Sequence, residues 1–180
     1  MTARFARRGE HLQLTMSEAE HELLRALPDE LRELYEDDSG TDEARERLFP
    51  RAYLDPTEEH AEEEWQQLVH PELLRDRLTA LAQVTSSLER AAVGRRGELT
   101  VDLSPDEVSA FLGVLNDARL ALGTRLGVSD DTDLADLEVS LAQRGDPRAP
   151  MTAVYSWLTY LEGELVEELL AGLPEEGEDD

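Results

Sequence analysis

The chain has 180 residues, a formal net charge of −25 at pH 7 and no cysteine. The missing cysteines exclude disulfides, thiolate catalysis, iron–sulfur clusters and thiol-based redox sensing. No apolar run approaches the roughly 20 residues that a membrane span requires, and the N-terminal MTARFARRGEH lacks the apolar stretch of a secretory signal. We therefore expect a cytoplasmic protein without a membrane span.

The acidic charge also bears on partners. Affinity for DNA comes largely from basic side chains that neutralise phosphates, so a chain with this net charge repels duplex DNA over most of its surface. We expect direct DNA binding to be weak at best, and a basic protein partner to be favoured. All 17 basic residues are Arg, and the chain has no Lys and no Ile. That composition is typical of a GC-rich genome such as that of an actinobacterium.

The chain begins with a predicted β-hairpin. Two short runs, RFAR at residues 4–7 and HLQLT at residues 11–15, flank a turn at Gly9. In the second run Leu12 and Leu14 alternate with polar residues, which is the pattern of a half-buried strand.

A helix follows the hairpin. Ser17 and Glu20 have the spacing of a capping box, in which the two side chains satisfy free amides at a helix start. Pro28 disfavours helical conformation in the preceding residue, so we predict that this helix ends at Leu27 and that another begins at Pro28. An acidic loop at residues 36–44 then leads into a short helix that Pro50 ends.

The middle of the chain is predicted to be helical. Asp55-Pro56 has the chemistry of a helix start, and the third major helix that it opens is interrupted at His70-Pro71. The helix then resumes, with a seam of residues alternating four and three apart. This seam suits either a buried core helix or a short coiled-coil dimer; it comprises Leu74, Leu78, Leu81, Thr85, Leu88 and Ala92.

Residues 98–103 alternate as a strand, and SPDE at residues 104–107 combines an N-cap, a first-turn proline and a capping-box Glu. We predict a helix from there to Leu126, a short one at 133–143 and a last one from about Pro150. The strand is expected to pair with the hairpin. The predicted fold is therefore mainly α: a single helical domain at residues 1–172, with the hairpin and one further strand. Residues 173–180 are predicted to form a disordered acidic tail.

No catalytic or cofactor-binding motif is present, so we expect neither an enzyme nor a bound cofactor. His60 and Glu64 lie four residues apart and could share a metal ion on one helix face. A helical metal protein is therefore one alternative function. The other interpretation of this acidic stretch is a solvated helix face.

Arginines supply the candidate contact residues. They could anchor a protein partner or nucleic acid, or they could simply pair with the abundant Glu residues at helical spacing. The pair between a helix end and a strand is the best placed, because a helix C-terminus favours cations. The candidates are Arg7, Arg8, Arg51, Arg95 and Arg96.

Four segments together resemble a known family. They are the hairpin pattern R-F-x-R-x-G, LTMSEAEHELLRALPDELRELYED, LFPRAYLDP and MTAVYSWLTYLEGELVEELL. They are similar to an actinobacterial family of unknown function that is encoded beside the ClpS adaptor gene. This family includes the AosR-type oxidative-stress transcriptional regulators.

The resemblance implies a regulator of transcription and of the stress response that acts through protein–protein contacts, with a sigma factor or RNA polymerase as partner. An adaptor-type module linked to Clp proteolysis is the alternative that the gene neighbourhood suggests. One departure matters: the redox-responsive members are thought to use a cysteine pair, and this chain has none. Direct thiol sensing is therefore not carried over.

Overall fold

The computed structural model describes residues 3–9, 11–37, 41–129 and 132–172. It confirms the predicted fold class, a mainly helical protein with a small sheet. The predicted tail at 173–180 lies outside the described residues, and the limits of the predicted domain stay a prediction. The helices are α1 (Glu18–Tyr35), α2 (Glu43–Leu48), α3 (Glu59–Leu68), α4 (His70–Glu89), α5 (Pro105–Leu126), α6 (Leu134–Gln143) and α7 (Ala149–Leu170).

The strands form one antiparallel sheet, in which the first strand pairs with the second, the second with the fourth, and the fourth with the third. The hairpin and its pairing with the later strand are confirmed, with Leu14 opposite Val101. The sequence did not indicate a fourth strand. Ala92, which we assigned to the helical seam, is instead exposed in a two-residue edge strand after α4 ends. The strands are β1 (Arg4–Arg8), β2 (His11–Met16), β3 (Ala92–Val93) and β4 (Leu99–Leu103).

The predicted break at Pro28 is wrong, because α1 continues through this residue as one helix of 18 residues. Pro28 is buried, and Leu24, Leu27 and Leu31 on either side of it are buried too. Packing of this continuous apolar face against the core outweighs the lost backbone hydrogen bond. The capping box of Ser17 and Glu20 is confirmed at the start of the helix.

The helix predicted from Asp55-Pro56 begins less regularly than expected. Asp55 accepts a hydrogen bond from the Thr57 amide, but Pro56–Glu58 form a single 3-10 turn before α3 starts. Little of the apolar surface of α3 is buried, since Leu68 is 73% exposed and the buried side chain of this helix is Glu62.

Helix α5 lies at the centre of the molecule. The capping box of Ser104 and Glu107 is confirmed at its start, and Gly127 ends it in the left-handed conformation with φ of 72°. Its neighbours are α1, α2, α4, α7 and the sheet, so its buried residues lie on several faces of the helix. They include Phe111 and Leu115, which join a core shared with Phe5 of β1 and Leu161 of α7.

Candidate protein-binding groove

The predicted arginine contacts do not form one surface. Arg7 has a structural partner: its backbone amide donates to Glu168 Oε2 over 3.2 Å, and its Nη2 donates to the Glu168 carbonyl over 2.9 Å. The second bond satisfies a carbonyl in the last turn of α7. A Cβ at Gly172 would overlap the Arg7 guanidinium. Arg7 therefore fastens β1 to the end of α7.

Arg8 is exposed at the end of β1, and Arg95 and Arg96 are exposed in the turn before β4. The strand register shows where Arg8 lies relative to Arg95 and Arg96. Because Met16 pairs with Leu99 and Arg8 pairs with His11, the two turns lie at opposite ends of the sheet. β1 and β3 are also its opposite edges. These arginines therefore cannot contact one compact partner site together.

Arg51 is engaged within the chain, since its Nη2 lies 2.6 Å from Glu59 Oε2. Beside it, the buried Glu62 accepts from the amides of Ala52 and Tyr53 at 3.0 and 2.8 Å, and from Gln66 Nε2 at 2.7 Å. The hydrogen bond from Gln66, followed by the backbone bonds and the Arg51 charge, lowers the pKa of Glu62 despite its burial. The carboxylate thereby holds the LFPRAYLDP segment against α3.

The predicted metal pair lies on an exposed face of α3. His60 Nε2 is 3.8 Å from Glu64 Oε1, and the two side chains are 86% and 67% exposed. Among residues that the structure describes, no group of three His, Cys, Asp or Glu side chains could hold a metal ion. The observed contact is that of two solvated polar side chains at helical spacing.

A concave surface with a mostly apolar lining lies between α1, α5 and α7, and we call it the apolar groove. Its volume is about 310 Å³. Ala118 and Ala121 of α5 are buried at its base, and these small side chains leave depth between the larger ones on either side. The other lining residues are Leu23, Ala26, Leu27, Glu30, Leu31 and Leu34 of α1, Leu122 and Arg125 of α5, and Met151 and Val154 of α7.

The helical period of α1 explains one wall. Leu23, Leu27, Leu31 and Leu34 recur three or four residues apart, so they share one face of the helix. Part of that face contacts the core, while Leu23 is only half-buried, as Leu122, Met151 and Val154 are. The groove therefore presents apolar surface that no other element of the described chain covers.

The apolar groove continues into an acidic depression, because Glu30, Leu34 and Arg125 line both. Five carboxylates and one guanidinium surround this depression. Since like charges lie close together here, a cationic ligand is favoured electrostatically. The residues are Glu30, Glu33, Asp37, Asp42, Glu43 and Arg125.

Arg125 is weakly held at the junction of the two regions. Its Nη2 is 3.4 Å from Asp42 Oδ2, and its side chain is 45% exposed. Asp42 also caps α2, because its Oδ1 accepts from the Ala44 amide over 2.8 Å. The Asp42 carboxylate therefore caps α2 and also faces Arg125. Among the described residues that line the depression, Arg125 is the only cation.

A buried polar network below the depression fixes the relative positions of α1, α4 and α5. Asp117 Oδ2 accepts from the Tyr35 hydroxyl and from Arg77 Nε, each at 2.8 Å. Burial, together with the Asp117 charge, raises the pKa of Tyr35. Arg77 also lies 4.7 Å above the Phe49 ring, a cation–π geometry. Two walls of the groove, α1 and α5, are thus joined to each other and to α4.

The sequence did not indicate the apolar groove. The available signal was the acidic loop at residues 36–44 directly after an apolar helix face.

Within the described residues, no helix is long and apolar enough to cross a membrane.

Comparison with known proteins yields one match. The model of a family described as a domain of unknown function, DUF2017, matches residues 1–169. No curated protein matches the chain, and no solved structure does. The match spans the hairpin, the groove and all seven described helices except the last residue of α7. The chain therefore belongs to the DUF2017 family.

Proposed function

We propose that this protein is a non-enzymatic, cytoplasmic regulator that binds a basic partner protein in the apolar groove. The observation that carries the proposal is the continuity of an apolar groove with a depression lined by five carboxylates. An amphipathic helix with basic residues on its flank fits such a surface, since its apolar face fills the groove and its cations meet the acids.

A transcription-related role, with a sigma factor or RNA polymerase as partner, is the specific form of this proposal. Its support is the acidic net charge together with the resemblance described above. Direct DNA binding is expected to be weak, and the separation of Arg8 from Arg95 and Arg96 supports this expectation. An adaptor role in Clp proteolysis is the second form, because an adaptor also acts through a docking surface.

Ala26→Arg tests the groove. Ala26 is exposed and lines the groove, so the substitution keeps a good helix former while adding bulk and positive charge where a basic partner binds. We expect about a tenfold or greater loss of partner affinity. The partner is first identified by affinity purification of the tagged chain from its own cells, and its affinity is then measured by titration.

Ala142→Arg is the matched control, because Ala142 is exposed in the last turn of α6 and does not line the groove. Enrichment of RNA polymerase or a sigma factor by the wild type and this control, but not by Ala26→Arg, supports the transcriptional form. Clp components with the same dependence support the adaptor form. A partner that binds all three chains equally contradicts the assignment to the groove.

A further inference from the structure

A second apolar surface lies on α4 and shares no lining residue with the apolar groove. Six residues line a shallow groove there, and all of them belong to this one helix, so no other described element overhangs it. We call it the α4 face. It consists of Pro71, Leu74, Arg75, Leu78, Thr79 and Ala82.

The α4 face carries less charge than the helix that precedes it. On α3, which precedes it, Glu59, Glu63 and Glu64 are all exposed. The exposed and half-exposed positions of α4 from Leu78 to Ser86 carry no charge. A second copy of a chain with net charge −25 is repelled over most of its surface, and this uncharged strip is a place where two copies can approach without that repulsion.

Two charges bracket the strip symmetrically. Arg75 and Glu89 each lie seven residues from Ala82 and are exposed, so the three positions fall along one line of the helix. At a rise of about 1.5 Å per residue, each charge lies about 10 Å from Ala82. Neither charge has an ion-pair partner among the described residues.

We propose that the α4 face binds the same face of a second copy, with the two α4 helices antiparallel and crossing at Ala82. In this arrangement Arg75 of each copy meets Glu89 of the other, because a two-fold axis at Ala82 exchanges these positions. The small Ala82 and Thr79 side chains let the helices approach closely, while Leu74 and Leu78 supply apolar contact.

The proposed dimer differs from the coiled coil suggested by the heptad seam. Leu81 and Leu88 of that seam are buried in the core of their own chain, so they are not available to a partner. The contacting face is rotated away from them. Because the face is one helix wide, the interface is small, and we expect a dissociation constant in the micromolar range.

A charge-swap cycle tests the pairing. Arg75→Glu places like charges together at both ends of the interface, as Glu89→Arg does, and each is expected to weaken dimerisation by roughly tenfold or more. The double variant Arg75→Glu/Glu89→Arg restores opposite charges and is expected to recover wild-type affinity. Sedimentation velocity of the full chain over a range of concentrations measures these constants.

Arg96→Glu is the control for net charge, because Arg96 is exposed in the turn before β4. Ala82→Cys adds a second readout: the chain has no other thiol, so oxidation should give a covalent dimer much faster than for Ala142→Cys. The proposal is overturned by a wild type that stays monomeric up to millimolar concentration. Equal effects of Arg75→Glu and Arg96→Glu, without recovery in the double variant, overturn it too.

Discussion

Glu107 joins two helices through four hydrogen bonds to its carboxylate. Oε2 accepts from the Ser104 amide and hydroxyl at 2.8 and 3.0 Å, while Oε1 accepts from Arg90 Nη2 at 2.6 Å and Ser87 Oγ at 2.9 Å. Burial acts to raise the pKa of Glu107, but these donors outweigh it and hold the pKa at about 2. The residue thus caps α5 and also anchors the end of α4.

Glu107→Gln is expected to lower the free energy of unfolding at pH 7 by about 1–3 kcal/mol, because a charge-assisted cap is lost. The folded-state pKa is lowered, so the carboxylate stabilises the fold above about pH 4.5 and loses its effect as the pH falls toward 2. Urea titrations across this range measure the difference between the two chains, which should shrink on acidification.

Glu138→Gln is the control variant for Glu107→Gln, since Glu138 is exposed on α6. It removes the same charge without removing a cap. A loss of stability in Glu138→Gln as large as that in Glu107→Gln would show that net charge, and not the hydrogen-bonded network, sets the effect.

At the scale of elements, the sequence predicts a helix or strand correctly where one short segment determines its start. The capping boxes at Ser17 and Ser104 each specify a helix start within four consecutive residues, and both are present. Pro28 was misjudged because its local preference competes with tertiary packing of α1, which the sequence does not display. β3 was missed because two residues are too few to show alternation.

Pro28→Ala probes that competition. The substitution restores a backbone donor inside α1, and a helix-interior proline is less favourable than alanine by about 3 kcal/mol. Lost packing of the buried ring and greater freedom of the unfolded chain offset part of this gain. We expect a net stabilisation of about 1 kcal/mol by chemical denaturation.

Pro147→Ala separates the two contributions, because Pro147 is exposed between α6 and α7. At this position the substitution changes only the conformational freedom of the unfolded chain, which it increases. This variant should therefore be slightly less stable than the wild type. A destabilised Pro28→Ala would mean that ring packing exceeds the cost of the missing hydrogen bond.

At the scale of the whole molecule, the candidate groove could not be predicted because three distant segments build it. Leu23, Leu122 and Val154 each look like core residues in their own helix, and only their convergence around Ala118 and Ala121 makes a surface of them. Composition bears on one property of the whole molecule: the carboxylates of a chain with net charge −25 repel one another.

Salt should therefore stabilise the protein. Raising the ionic strength from about 0.01 M to about 1 M shortens the screening length from about 30 Å to about 3 Å, which weakens repulsion between surface carboxylates. We expect the melting temperature to rise by several degrees. Calorimetry at low protein concentration keeps dimerisation out of the comparison, and a melting temperature that falls with sodium chloride would contradict the expectation.

The bond between Arg7 and Glu168 also has a consequence for synthesis of the chain. These residues are 161 positions apart, so β1 must wait for α7 to be synthesised. At roughly 5–20 residues per second the wait is roughly 8–30 s. During that time Phe5 lacks the cover that α7 contributes to the core. Chains that terminate before α7 should therefore be recognised by chaperones and proteases, because α7 is needed to close the core over β1.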